Sequence, residues 1–569
     1  MPWRTHLYDR DAHNGGWRGD ALNGWPSHPV IFEINTWVWL NDLGRSCGRP
    51  VTLATVPAKE WDALAGLGID AVWLMGVWER SPAGRQIALG DRGLMADCRR
   101  ALSDLAPADV VGSPYCVRRY VVDEHLGGPH GLAAARQALR ERGVRLMLDF
   151  VPNHVAPDHP WVRDHPEYFI HGGRDDLAAD PGAFLEVGRH VFARGRDPYF
   201  PPWTDVLQLN AFAPGLREAA VEAVASIAEQ CDGIRCDMAM LLLNAVFGRT
   251  WGLRAGDGPG VDYWREVIPA IKCRWPEFLF VAEAYWDLEW ELQQQGFDYC
   301  YDKRLYDRLA HGDAEGIERH LLAAAAYQER LVRFIENHDE PRAAATFSPP
   351  RARAAAVVAL TLAGARLLHE GQIEGRRVRL PVFLGRRPDE PVDADLAAFY
   401  RRLVRATGHH AFRNGRWRLC ERSGLPDNAT SRHILAWCWE GRDERFLILA
   451  NLSNGAAQAR VRVPWDDLRG RAWQLVDALS GERFERSGDE MRDVGLYVAL
   501  ESWCVHFLHL ARPSASAGAD ANRATPSDQV SRPSVTELRP AERGLQHVDE
   551  DASLGGHELA PRKHHPDWV

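Results

Sequence analysis

The chain has no stretch approaching the ~20 apolar residues that a membrane-spanning helix requires. Its first residues, MPWRTHLYDRDAHNGGW, hold no apolar core of the kind that directs secretion. The expected location is the cytoplasm, with no membrane partner. Positive charge is not in excess either: the formal net charge is −10. With no surplus of cations to neutralise phosphate, nucleic acid is not an expected partner. Lysine is scarce and almost every cation is arginine, a pattern of genomic base composition rather than of phosphate binding. Ten cysteines are scattered through 569 residues with no C-x-x-C pair, so neither a metal site nor a redox centre is signalled. Reduced thiols are the default in a chain without a secretion signal. No element signals a particular oligomeric state.

What is present is a large globular core. The chain is 46% apolar and 9% aromatic, and long enough for one large domain and at least one more. Apolar runs alternate with helix-like segments, the order that a parallel α/β fold requires. The runs are VIFEINTWVWL (30–40), AVWLMGVW (71–78), VRLMLDFV (144–151), GIRCDMA (233–239), FLFVAEA (278–284), GFDYCYDKRL (296–305), LVRFIEN (331–337) and GARLLHEG (364–371). Helices are expected over 131–143, 219–229 and 395–406. Eight strands with helices between most of them predict a (β/α)8 TIM barrel over 30–408, after a lead-in of 1–29. Residues 155–215 are too long for a structureless loop and predict a small inserted domain after strand 3. From 409 to 512, short alternating segments separated by Gly, Asp and Asn predict an antiparallel β domain. Residues 513–569 have few apolar side chains and are predicted to be disordered.

Four acidic motifs each end an apolar run: LMLDFVPNH (146–154), GIRCDMA (233–239), FVAEAYW (280–286) and RFIENHDEPR (333–342). Three carboxylates, Asp237, Glu283 and Asp339, therefore fall at the C-terminal ends of different strands, the face where barrels assemble sites. Converging carboxylates are what glycoside cleavage needs: one to attack or stabilise, one to donate a proton. Arg235 and Asp237 share strand parity and face the barrel mouth, whereas Cys236 points into the helix layer. A guanidinium beside Asp237 keeps that carboxylate ionised. Glu283 follows FLFVA, and a partly desolvated acid near an anion keeps its proton to higher pH, as a general acid/base must. Glu336 and Glu340 are neighbouring acids without a catalytic role. Aromatic residues cluster where a sugar would bind, with Tyr285 and Trp203 the first choices for stacking on it.

These motifs, in this order, resemble the alpha-amylase family of retaining (β/α)8-barrel glycosidases and transglycosidases. The resemblance covers roughly residues 30–510. It implies Asp237 as nucleophile and Asp339 and His338 as ligands of the sugar being cleaved. It also implies His154 as a second subsite histidine and Tyr115 as a residue stacking on the sugar. Asp149 and Asn153 are expected to be structural. The inserted segment after strand 3 matches the place of the family's second domain. TDVLQLNAF (204–212) departs from a family segment by lacking its Asp. Many members bind calcium through the Asn of the first motif and a Lys-His pair after the nucleophile. Here the residues after Asp237 read MAMLLLN, so no cofactor is expected; calcium stays open elsewhere but is not expected at that position. The implied substrate is an α-glucan or oligosaccharide. The motifs leave open hydrolysis or transfer (trehalose-forming, branching or maltosyl-transferring), and a catalytically silent barrel is the remote alternative. Retaining chemistry would place the Asp237 and Glu283 carboxyls about 5–5.5 Å apart.

Overall fold

The computed structural model describes residues 24–511. The expected tail (513–569) and most of the lead-in lie outside the described residues. Eight parallel strands close into a barrel: β1 (Val30–Asn35), β2 (Ala71–Met75), β3 (Arg145–Phe150), β4 (Gly233–Cys236), β5 (Leu279–Ala282), β6 (Tyr299–Tyr301), β7 (Leu331–Arg333) and β8 (Ala365–His369). They pair in sequence order, and β1 closes the ring against both β2 and β8. All eight are covered on both faces, which is why they read as largely apolar runs rather than alternating ones. Trp73, Met147, Val281, Tyr301, Val332 and Leu367 fill the interior. Their strand neighbours Val72, Leu148, Phe280 and Leu368, with Cys236, pack against the helices instead.

Several expected strands end early, for local reasons. The first stops at Asn35, because the Asn35 side chain accepts a hydrogen bond from Val38 N and caps the helix Thr36–Cys47. The residues Thr36 to Leu40 are therefore helix, not strand. The second stops at Met75. Gly76 follows with φ +76°, and a Cβ there would meet Arg80 Nη2 and Pro114 Cβ, both at 2.9 Å. The chain then makes an excursion that the sequence reading did not separate. The strand Trp78–Arg80 pairs antiparallel with Val117–Val122, and between them lie the helices Pro82–Gly90 and Arg92–Ala101. The sixth strand is three residues long, because Asp302 accepts from Leu305 N and starts the helix Lys303–His311.

After β3 the inserted segment folds as a three-stranded antiparallel sheet (His171–Gly172, Phe184–Val187, His190–Ala193). A strand pair, His154–Val155 with Leu207–Gln208, ties it to the end of β3. Phe169, Phe192, Leu207 and Leu216 form its small core. The C-terminal region holds a six-stranded and a three-stranded antiparallel sheet. Their shared core includes Leu447, Leu449, Val461, Trp473 and Val498. The opposite face of the larger sheet packs on the barrel: the Trp437 and Trp439 indoles donate to Thr361 O at 3.1 and 2.6 Å, at the end of the helix Pro349–Thr361. No helix among the described residues is long and apolar enough to cross a membrane.

Candidate active site

Arg235 is the centre of the site. It sits on β4, 1% exposed, with its guanidinium over the rings of Trp73, Tyr115 and Tyr301. Its Nη1 donates to Asp237 Oδ1 at 2.6 Å and its Nη2 lies 2.7 Å from Glu283 Oε2. Asp339 Oδ2 is 3.9 Å from the same nitrogen. The three expected carboxylates thus come together from the ends of β4, β5 and β7 around one buried cation. Burial opposes the charge on Arg235, but Glu283, Tyr115, Tyr301 and Asp237 outweigh it and push its pKa up.

Backbone strain helps bring the first two carboxylates together. Met238, directly after Asp237, has φ 43° and ψ 43°, a left-handed conformation uncommon for a non-glycine residue. That turn aims Met238 N at Glu283 Oε2, 2.6 Å away. The Tyr285 hydroxyl donates to the other oxygen, Oε1, at 2.8 Å. Donors favour an ionised Glu283, but burial is the larger effect. Burial, against the pull of Arg235 and with the repulsion of Asp237 and Asp339, lifts Glu283 to about 7.

Asp339 is opposite in character. Burial pushes its carboxyl up, yet His338 and Arg235 draw it down to about 2. His338 Nε2 lies 3.0 Å from Asp339 Oδ2 and its Nδ1 contacts Glu33 Oε1. Burial disfavours the imidazolium, but Asp339 and Glu33 raise it to about 10, so His338 is a cation across the neutral range. Tyr115 stacks on His338 with ring centroids 5.4 Å apart, and its hydroxyl lies 2.6 Å from His338 Nε2. The excursion between β2 and β3 is what delivers Tyr115 here.

The remaining expected residues divide. His154 is buried near Asp237, which favours its charged form, while burial, the larger effect, lowers its pKa. Trp203 packs on His154 with centroids 5.1 Å apart, half-buried at the edge of the insert. Asp149 is structural: it accepts from Trp73 Nε1 at 3.1 Å and Gly76 N at 2.9 Å. Glu336 pairs with Arg342 at 2.8 Å, and Glu340 lies 3.2 Å from Lys303. Glu33 was missed. Its signal was present, a lone acid inside the apolar run VIFEIN. The family's usual calcium position does not fit this chain. Asn153 Oδ1 accepts from Gln208 Nε2 at 2.9 Å, and Met238 to Leu243 offer no side-chain oxygen.

A closed parallel barrel with carboxylates from three strand ends gathered on one guanidinium defines a (β/α)8-barrel protein with an acidic cluster at the mouth of the barrel. Residues 58–180 match the alpha-amylase catalytic domain. The alpha-amylase MalA of Haloarcula japonica is 28% identical over 395 residues, 67% of this chain and 49% of that protein. The alpha-1,4-glucan:maltose-1-phosphate maltosyltransferase of Bifidobacterium longum is 26% identical over 279 residues, 46% of this chain and 32% of that protein. The chain thus spans half or less of the length of these curated relatives. In fold it is similar to the maltogenic alpha-amylase AmyB of Thermotoga neapolitana, with a TM-score of 0.61 at 18% identity over 85% of this chain and 99% of that one. The family-model match, these relatives and the fold support a place in the alpha-amylase family.

Proposed function

We propose that the protein is a retaining glycosidase acting on α-glucosidic bonds of starch- or glycogen-derived glucans and oligosaccharides. The observation that carries this reading is the Arg235 bridge. It sets Asp237 beside Glu283, an acid lifted to about 7. In the first step an Asp237 oxygen bonds to the anomeric carbon as the glycosidic C–O bond breaks, and Glu283 gives its proton to the leaving oxygen. Glu283 Oε2 already accepts from Met238 N and lies against the Arg235 guanidinium, so the transferable proton belongs on Oε1, the oxygen facing Tyr285. In the second step Glu283 takes a proton from water, the water oxygen bonds to the anomeric carbon, and Asp237 leaves. Two inversions give net retention. Asp339, held ionised, and His338 bind hydroxyls of the cleaved sugar, with Tyr115 alongside. His154, Trp203 and Tyr285 line the remaining walls.

A second reading, transfer to a sugar hydroxyl, is favoured by the name of the Bifidobacterium longum relative, a maltosyltransferase. The same glycosyl-enzyme serves both. The absence of any disulfide among the described cysteines, most of them buried, fits a reducing compartment such as the cytoplasm.

Proton NMR of the reaction with maltoheptaose, glycogen, maltose and trehalose checks the proposal. Shorter products with first-formed α-anomers support hydrolysis with retention. Longer or rearranged glucosides with little free sugar move the reading to transfer. First-formed β-anomers, or no turnover of any donor, would remove it.

A further inference from the structure

The loop after β8 and the excursion after β2 are joined into one wall beside the site. Val110 and Leu384 form an antiparallel bridge. Val111 N donates to Phe383 O and Gly385 N to Asp109 O, each at 2.8 Å. Arg386 grips Asp109 with two bonds, Nε to Oδ1 at 2.6 Å and Nη2 to Oδ2 at 2.8 Å. The seam is sealed by apolar packing, with Phe383 and Leu384 buried against Leu94, Met95, Leu102 and Val110. Behind it, Arg387 lies 2.6 Å from Glu370 and 2.5 Å from Asp42, which anchors the loop to β8 and to the helix Thr36–Cys47.

Both halves of this wall reach the catalytic centre. The excursion half carries Tyr115 onto His338. The loop half brings Arg379 near enough to Asp339 to lower its pKa. Between them, Asn35, His338, Arg342, Glu370, Arg379 and Leu380 line a recess whose open space is about 10 Å³, room for about one water. The recess lies at the ends of β7, β8 and β1. In the barrel order it is on the far side of Asp339 from Glu283. In the reading above, Glu283 protonates the leaving group, so the leaving group extends from the Glu283 side. The sugar held by Asp339 then points its remaining hydroxyls at the wall.

We propose that this wall closes the donor end of the site, so that the enzyme attacks chains only from the non-reducing terminus and accepts a single glucosyl residue there. The inference rests on the glycosidase reading and adds the mode of attack to it. A second sugar on the donor side would have to occupy the space that Arg342, Arg379 and Leu380 fill. Chain length is free to vary only on the acceptor side.

The experiment compares 4-nitrophenyl α-maltoheptaoside with the same compound carrying a 4,6-O-ethylidene group on its non-reducing glucose. The first product of the unblocked compound is identified by chromatography, and an Arg386→Ala variant is run in parallel. The expected result is glucosyl-unit removal or transfer from the unblocked compound, at least about 100-fold slower turnover of the blocked one, and a roughly tenfold narrowing of that ratio in Arg386→Ala. Turnover of the two compounds within a few-fold of each other would show internal attack and overturn the proposal, while leaving the glycosidase reading standing. Maltosyl units as the first product, or an unchanged ratio in Arg386→Ala, would overturn it in the same way. Turnover of neither compound would remove both.

Discussion

Arg235→Met would take away the cation that the three proposed catalytic carboxylates share. Arg235, Glu283 and Asp237 are 1%, 3% and 5% exposed, so water does not replace the guanidinium without rearrangement. Two unit charges about 4 Å apart at an effective dielectric constant of about 20 interact by about 4 kcal/mol. At about 1.4 kcal/mol per unit, that is roughly three pK units on Glu283 before relaxation. Relaxation and water entry return part of it. The expected change is a rise of at least about one unit above the wild-type value near 7. In the proposed role Glu283 acts when protonated, so wild-type activity should fall as pH rises through about 7, and the variant's weaker activity should persist to higher pH. Stability follows the same electrostatics. Leaving buried carboxylates without their partner costs about 3–5 kcal/mol, and the penalty shrinks at lower pH as protonation neutralises them. The assays are kcat/KM from pH 4 to 10 and urea unfolding at pH 5 and pH 8. An unmoved basic limb together with an unmoved unfolding midpoint would show that Arg235 does not set the charge balance at Glu283. If the Met variant does not fold, Arg235→Lys keeps the charge but cannot bridge both carboxylates, and its limb should move the same way by less.

Other substitutions separate roles. Asp237→Asn should lower kcat on the order of 10³–10⁵-fold with the fold intact, as checked by steady-state kinetics and circular dichroism. Glu283→Gln should hurt maltooligosaccharides far more than an aryl glucoside with an acidic leaving group; equal losses on both would argue against Glu283 as the acid. Asp302, directly after β6, pairs with Arg333 and His320. Burial pushes its carboxyl up, but these cations bring it down to about 2. Its contribution is therefore present above the unfolded carboxyl pKa of about 3.9 and lost as pH falls through about 2. Asp302→Asn should cost about 3–5 kcal/mol in urea unfolding at pH 7, with the gap closing toward pH 2. Gln208→Leu removes the amide that bonds Asn153 O, Asn153 Oδ1 and Leu209 O. It should destabilise by about 1–3 kcal/mol, measured as a shift in the unfolding midpoint.

The barrel was legible because its strands are buried on both faces, which leaves long apolar runs in the sequence, and each site carboxylate marks where one run stops. That Arg235 and Asp237 share a face was legible by parity. Strand ends were not, because apolar residues continue past them into the next element. Trp37 and Leu40 look like strand, and only the cap made by Asn35 turns them into helix. The excursion between β2 and β3 escaped notice because its helices carry ordinary amphipathic patterns, and nothing local says that Asp109 will meet Arg386, 277 residues away. For the same reason the joined wall has no sequence signature. Glu33 was visible as a buried acid, but its partner His338 lies 305 residues further on.

Retention through two displacements requires that Asp237 become covalently bonded to the sugar. A 5-fluoro-α-glucosyl fluoride, which slows the second step more than the first, should trap that bond. Mass spectrometry of the intact protein should show the mass of one fluoroglucosyl group, and digestion should place it on the peptide containing Asp237, with none on Asp237→Asn. A label on Glu283 or Asp339, or full turnover of natural substrates without any trapped species, would contradict the account.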